Sequence, residues 1–451
     1  MAVSARKRIW GWFFFDWASQ PYSTLLLTFV FAPYFAEVAR AHFAAAGATP
    51  EAAAAQAQAY WSGGLTLAGL CIAILAPILG AIADGSGNRM GWIRGFSLLY
   101  VVAALALWWT TPTGGIFWPV VFFGIGLIAM EFATIFTNAL MPHLAVREEL
   151  GRVSGSGFAF GYAGGVVALF VVLLLFAEGA STGTTLAGFP PALGLDPALR
   201  EGTRAVGPFT ALWFVVFMVP FFLWVREPSA PKRHPAREAF GRLWQSLRSL
   251  HRRKSLSAYL ASSMFYRDAL NALYGLGGAF ASNVLGWGVI QSGTFGIIAA
   301  VTAAVACWAG GRLDSRLGPK PVIIVCIAIL MAVCIVLIGL SRDSVFGVVL
   351  AEGSPLPDRL FYLCGALIGA AGGILQASSR TLMVYHADPD RAAEAFGLYG
   401  LSGKATTFLA PALITVATSL TGSARLGIAP LVPLLALGLF LMIWVEPRGD
   451  R

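Results

Sequence analysis

Twelve runs of about twenty predominantly apolar residues follow one another along this 451-residue chain. A backbone of that length in hydrocarbon can satisfy its own N–H and C=O groups only as a helix or in a closed barrel, and runs this long exceed what a barrel strand needs. The runs fall near 10–37, 60–83, 92–111, 116–141, 153–177 and 207–225, then 258–281, 289–311, 319–341, 360–384, 394–417 and 427–445. The expected fold class is an all-α membrane protein with twelve transmembrane helices. Composition agrees, since 57% of the residues are hydrophobic and 12% charged, against about 25% charged in soluble domains. The start, MAVSARKR before an apolar run, imitates a signal peptide, but the run is far longer than a cleavable core of about 7–15 residues. It is read as a span.

Lys and Arg set the orientation. With the N-terminus cytoplasmic, 22 of the 31 fall in segments on that side, six on the other, and Arg267, Arg380 and Lys404 within spans. The membrane expected is a bacterial inner membrane; that bias predicts both termini inside. It also accounts for the basic charge through anionic lipid, with no nucleic-acid partner. Residues 226–257 form a basic linker between an N-terminal bundle, 1–225, and a C-terminal bundle, 258–451. Within the linker Phe240, Leu243, Trp244, Leu247 and Leu250 recur at helical spacing among arginines, which predicts an amphipathic helix on the membrane surface.

The two bundles echo each other. GAIADGSGNRMGW follows the second span and GGRLDSRLGPKP the eighth, each with a small-residue helix end, an acid, a glycine turn and a basic residue. An acid there can accept free helix N–H groups, so Asp84, Arg89, Asp314 and Arg316 are expected as gating contacts between helix ends. A repeat of this kind is a transporter feature.

Setting aside charges at the span ends, six lie within spans: Asp16, Glu131 and Asp268 against Arg267, Arg380 and Lys404. Isolated charges in lipid are costly, so a balanced set is expected to face a shared interior. The other reading is that the six only pair with each other and fix helix register. Helical spacing adds polar neighbours to each: Gln20 to Asp16, Asn138 to Glu131, Asn271 to Asp268, and Gln376 to Arg380. Tyr22 and Tyr162 are weaker neutral candidates. Asp268 and Lys404 come out about 15 Å from the membrane edge, near the bilayer middle. Arg and Lys suit a carboxylate and Asp or Glu an ammonium group, so the expected cargo is a small zwitterion such as an amino acid. A lipid-like or amphiphilic drug is the alternative cargo. Glu131, then Asp16, then Asp268 are the proton-coupling candidates, Asp268 last because Arg267 beside it would favour its charged form.

Other chemistry is not expected. Cys71, Cys307, Cys326, Cys334 and Cys364 all sit in apolar segments without ligand spacing, so no metal and no cofactor are expected. GLSGKAT lacks the first glycine and the Ser/Thr of a phosphate loop, and GFAFGYAGG reads as a close-packing helix face. The histidines form no hydrolytic pattern, so the chain is not expected to be an enzyme.

The paired Asp-containing loops in a six-plus-six chain resemble the major facilitator superfamily. Longer stretches, FDWASQPYSTLLLTFVFAPYF, TNALMPHLA with GRVSGSGFAFGYAGG, FYRDALNALYGLGG, and QASSRTLMVY with EAFGLYGLSGKATTFLAP, are similar to its vacuole-effluxer-like branch. His143 and Ala269 stand where the branch pattern has an acid and a glycine. The resemblance implies two pseudo-symmetric six-helix bundles and an alternating-access secondary transporter. It also implies export, since fungal members are linked to amino-acid efflux from the vacuole. A monomer whose partners are a small-molecule substrate and membrane lipids is expected.

Overall fold

A computed structural model describes residues 3–227 and 236–449. Part of the expected linker, with Lys232 and Arg233, therefore lies outside the described residues, as do Arg451 and the side chain of Phe240. The first span is one long helical rod of three parts, α1 (Ala5–Pro21), a π-helical stretch (Tyr22–Phe29) and α2 (Phe31–Ala45). Pro21 at the junction brings no N–H, and the widened turn after it absorbs the mismatch. There follow α3 (Pro50–Ser86), α4 (Arg89–Ala106), α5 (Phe117–Asn138), α6 (Leu150–Leu175), the short α7 (Glu201–Arg204) and α8 (Val206–Trp224).

The remainder comprises α9 (Ala236–Ser249), α10 (Lys254–Leu285), α11 (Val289–Leu317), α12 (Pro319–Gly339), α13 (Leu356–His386), α14 (Ala392–Ala405), α15 (Leu409–Thr421) and α16 (Leu431–Leu441). Among the described residues one antiparallel hairpin, Ser344–Val345 with Val348–Val349, joins the helices and their connecting loops.

Among the described residues ten helical stretches are long and apolar enough to cross a membrane. The other two expected spans are helical too, and each departs for a physical reason. α10 has 32 residues, about 48 Å of helix, but Arg267, Asp268 and a run of serines reduce its apolarity. The span expected at 394–417 is broken between Ala405 and Leu409. Pro411 explains the break: its ring collides with the carbonyl four residues back, at Thr407, and it offers no N–H to continue the ladder. The expectation of one continuous helix there is corrected.

Close contacts group the chain into two units, residues 1–75, 87–137 and 160–231 in the first and 76–86, 138–159 and 232–451 in the second. In the first, α1 and α6 lie together through the glycines of GYAGG: a methyl group at Gly161 would meet Asp16 at 3.1–3.3 Å, and one at Gly165 would meet Thr24 Oγ1 at 2.5 Å. In the second, α9 is the helix expected within the linker. Leu243 is buried against Ala81, with Ile78, Ile82 and Leu247 around it. This part of its apolar stripe is covered by the end of α3 rather than by lipid, while Trp244 on the neighbouring face stays exposed.

Candidate functional site

In the second unit Arg380 of α13 is 3% exposed. A guanidinium in so apolar a place requires acceptors for its five N–H groups. Nε donates to Ser154 Oγ (2.9 Å), Nη2 to the Ser154 carbonyl (2.8 Å) and Nη1 to Asn138 Oδ1 (3.3 Å). The Phe158 ring lies 4.2 Å from Cζ, close enough for a cation–π contact. Two expected site residues, Arg380 and Asn138, are therefore in direct contact. Ser154 and Phe158 were missed, although GRVSGSGF places both on one face of α6, four residues apart. One turn before Arg380, Gln376 Nε2 donates to Tyr274 Oη at 3.4 Å. Asn271, also on α10, is exposed.

Asp268 is 2% exposed, and its Oδ2 accepts the Ala410 N–H at 2.9 Å. It thus caps α15 at Ala410, while the Leu409 N–H donates to the Thr406 carbonyl at 2.7 Å. Arg267 turns elsewhere: Nη1 donates to the Tyr399 carbonyl (2.8 Å), Cζ lies 4.1 Å from that ring, and the guanidinium fills the space a side chain at Gly403 would need. Adjacent helix residues point about 100° apart, so the expected influence of Arg267 on Asp268 is corrected. Lys404, half-buried, ends α14, where the helix dipole favours a cation.

In the first unit Asp16, Gln20, Glu131 and Tyr162 are half-buried. Asp16 packs on Gly161 beside Tyr162, Gln20 on Gly165, and Ser23 Oγ reaches Met130 Sδ (3.9 Å) next to Glu131. Tyr22 sits apart from this polar side. It is fully buried, donates to the Phe123 carbonyl at 2.5 Å and packs on the Tyr100 ring, which makes it a packing residue.

The repeated acidic loops both meet helix starts within the second unit. Asp84 accepts the N–H groups of Ala393 (3.2 Å) and Glu394 (2.7 Å), capping α14. Gly80 lies against the Ala393 carbonyl, and Gly397 against that of Ala76, so closely that neither has room for a Cβ. In the other copy Asp314 is 2% exposed against Gly151, and Ser315 Oγ accepts the Arg152 N–H (2.9 Å) at the start of α6. Gly155 faces Gly311 there. Arg316 is exposed. In the first unit, the backbone N–H groups of Arg89 and Met90 are capped by the Glu227 carboxylate, both at 3.1 Å, a partner the sequence reading did not identify.

A family model described as "Vacuole effluxer Atg22 like" matches residues 4–449. The chain belongs to this family. The Atg22-like chain is 26% identical to the MFS-type transporter YxiO of Bacillus subtilis (strain 168), over 96% of its own length and 94% of that protein's. It is also 26% identical to Autophagy-related protein 22-1 of Aspergillus fumigatus over 68% of its length, and spans 51% of that longer fungal relative. Among solved structures it resembles the human organic anion transporter MFSD10 (TETRAN), with a TM-score of 0.70 at 17% identity, covering 97% of this chain and 99% of that one. The Escherichia coli fucose:proton symporter FucP gives 0.67 at 14%, covering 98% of each chain. The all-α major facilitator fold follows, and the Atg22-like protein is a multi-pass membrane transporter of that superfamily.

Proposed function

We propose that this Atg22-like protein is an alternating-access secondary transporter that exports a small zwitterion, an amino acid or close relative, in exchange for protons. The observation that carries the reading is Arg380, a guanidinium held in the apolar part of the second unit with its fork presented by Ser154 and Asn138. Arg is the side chain suited to a planar carboxylate. Lys404 supplies a second cation, and Asp16 and Glu131 are the candidate acceptors of the ammonium group and of the coupling proton. Asp84, half-buried, and Asp314, buried, each set against a helix start, act as gating contacts that part when the carrier opens at that end.

The charge bias supports cytoplasmic termini with this end on the same side, and the reading takes a bacterial inner membrane and a monomeric working unit. The test is counterflow of labelled amino acids in proteoliposomes, with and without a pH gradient. Loss of exchange in Arg380→Ala and Lys404→Ala, in protein that remains monodisperse, supports the site. Exchange unchanged in both removes it, and uptake of amphiphiles with no amino-acid exchange moves the cargo to that class.

A further inference from the structure

The loop between α6 and α7 carries an apolar surface that transport chemistry does not use. Residues 185–195, TLAGFPPALGL, contain no charge. Leu186, Phe189 and Leu193 are 68%, 69% and 87% exposed. The display is built into the backbone: Thr185 N–H donates to the Phe189 carbonyl (2.8 Å) and Gly188 N–H to that of Thr185 (2.9 Å), a tight turn that turns Leu186 and Phe189 outward. Leu193 holds a left-handed backbone, φ 62°, which a branched side chain adopts only under constraint.

The charged residues of the same loop are tied back into the protein. Glu178 receives the Thr203 hydroxyl at 2.8 Å, Glu201 receives the Asp196 N–H at 2.9 Å, and Arg200 pairs with Glu37 at 3.2 Å. The segment therefore separates polar from apolar groups, as a surface between two media does.

Position selects the second medium. Leu186 N–H donates to the Leu173 carbonyl at 2.9 Å, which joins the turn to the end of α6. Phe170, Leu174 and Leu175 there are exposed and apolar on a helix long and apolar enough to cross a membrane, as a lipid-facing stripe requires. Arg204, just after the loop, donates to the Trp108 carbonyl at 2.9 Å and lies 4.7 Å from its ring. The neighbouring Trp109 and Trp118 are 70% and 62% exposed, the aromatic belt that marks the headgroup level.

We propose that the 185–195 loop is a membrane anchor: Leu186, Phe189 and Leu193 insert among the acyl chains of the adjacent leaflet, continuing the lipid-facing surface of α6. Burying such side chains removes apolar area from water that an exposed loop would leave wet. The wider connection between α6 and α7 also carries Glu178 and Arg200, which bind Thr203 of α7 and Glu37 of α2, so lipid contact steadies those two helices as well.

The test places single cysteines at Phe189, Leu193 and, as a polar reference in the same loop, Ser181, in a Cys71→Ala background. Each is labelled with an environment-sensitive fluorophore and read in nanodiscs of phosphatidylcholine and phosphatidylglycerol, with or without brominated acyl chains. The expected result is blue-shifted emission that brominated lipid quenches at 189 and 193 but not at 181. Equal, water-like emission at all three sites overturns the proposal. So does shielding at 189 and 193 that brominated lipid leaves unquenched, which would assign the patch to a protein partner or a second copy.

Discussion

Arg380 and Ser154 form a closed loop of hydrogen bonds: Ser154 accepts from Arg380 at both its hydroxyl and its carbonyl, and its hydroxyl donates to Ala377, three residues before Arg380 on the same helix. One serine thus satisfies two guanidinium N–H groups and fixes the direction of the fork. Ser154→Ala removes the hydroxyl acceptor of a buried charge, worth about 1.5–3 kcal/mol. The measurement is thermal unfolding in detergent, where a clear loss of Tm is expected. Arg380→Lys keeps the charge but not the planar fork, and is expected to abolish exchange in proteoliposomes while folding is retained.

Asp268 is expected to separate structure from charge. Asp268→Ala leaves the Ala410 N–H without its acceptor and should cost about 1 kcal/mol, within the usual range for a lost helix cap. Asp268→Asn keeps an acceptor and should restore most of that stability. Hydrogen exchange at 409–412 reads the cap directly: faster in the alanine variant, near wild type in the asparagine one. If the asparagine variant is stable yet transports without response to a pH gradient, the carboxylate carries the coupling proton. An unchanged gradient response leaves that role to Glu131 or Asp16.

Gly155 and Gly311 are expected to hold a closed seam. A methyl group at Gly155 would stand 2.5 Å from the Cys307 carbonyl and from Gly311 Cα, and backbone cannot yield as a side chain does. Gly155→Ala should therefore cost about 1–3 kcal/mol of overpacking and push α6 from α11. A cysteine at Ser315 should then react faster with a water-soluble maleimide than in the parent. Equal reaction rates would show that the seam tolerates the methyl group.

Glu178 gives a pH dependence with a definite sign. It is 5% exposed, and burial raises its pKa above the ordinary 4.5, with the Thr203 hydrogen bonds and then Arg200 opposing the shift. A carboxyl whose folded value is raised stabilises the fold fully below its unfolded value, and that contribution is lost as pH rises through the folded value. Thermal stability should accordingly fall between about pH 4.5 and the raised value of this group, and Glu178→Gln should flatten that part of the profile. A profile identical to wild type would mean that the charged form is stabilised as well as the neutral one.

The spans were legible because hydropathy over twenty residues is a signal that lipid imposes on every helix, and eleven of the twelve came through as single helical paths. The break at 406–408 is written in Thr406-Thr407 before Pro411, but a hydropathy window averages over it. The repeated acids were legible at Asp84 and Asp314 as a pattern of residue types; the helix each one meets, and that Ser315 rather than Asp314 takes the helix N–H in the second copy, were not. Side-chain direction was the main loss. Arg267 and Asp268 are neighbours in sequence but act on different parts of α14 and α15, and Tyr22 looks polar by type but hydrogen-bonds into the packed interior. Glu178 sits in a loop where nothing in composition signals burial, and the stripe of α9 shows that an amphipathic helix exists without showing which surface covers it.

That last surface has a consequence of its own. Leu243 rests on Ala81 near the end of α3, while Ser246 accepts a 2.6 Å bond from Arg391, the residue before α14. The stretch joining the two sequence halves is thus a clasp that closes over elements from both. A polypeptide severed between Arg226 and Ala236 would still carry this fastener on its C-terminal piece, ready to seize residues 76–86 of the other fragment.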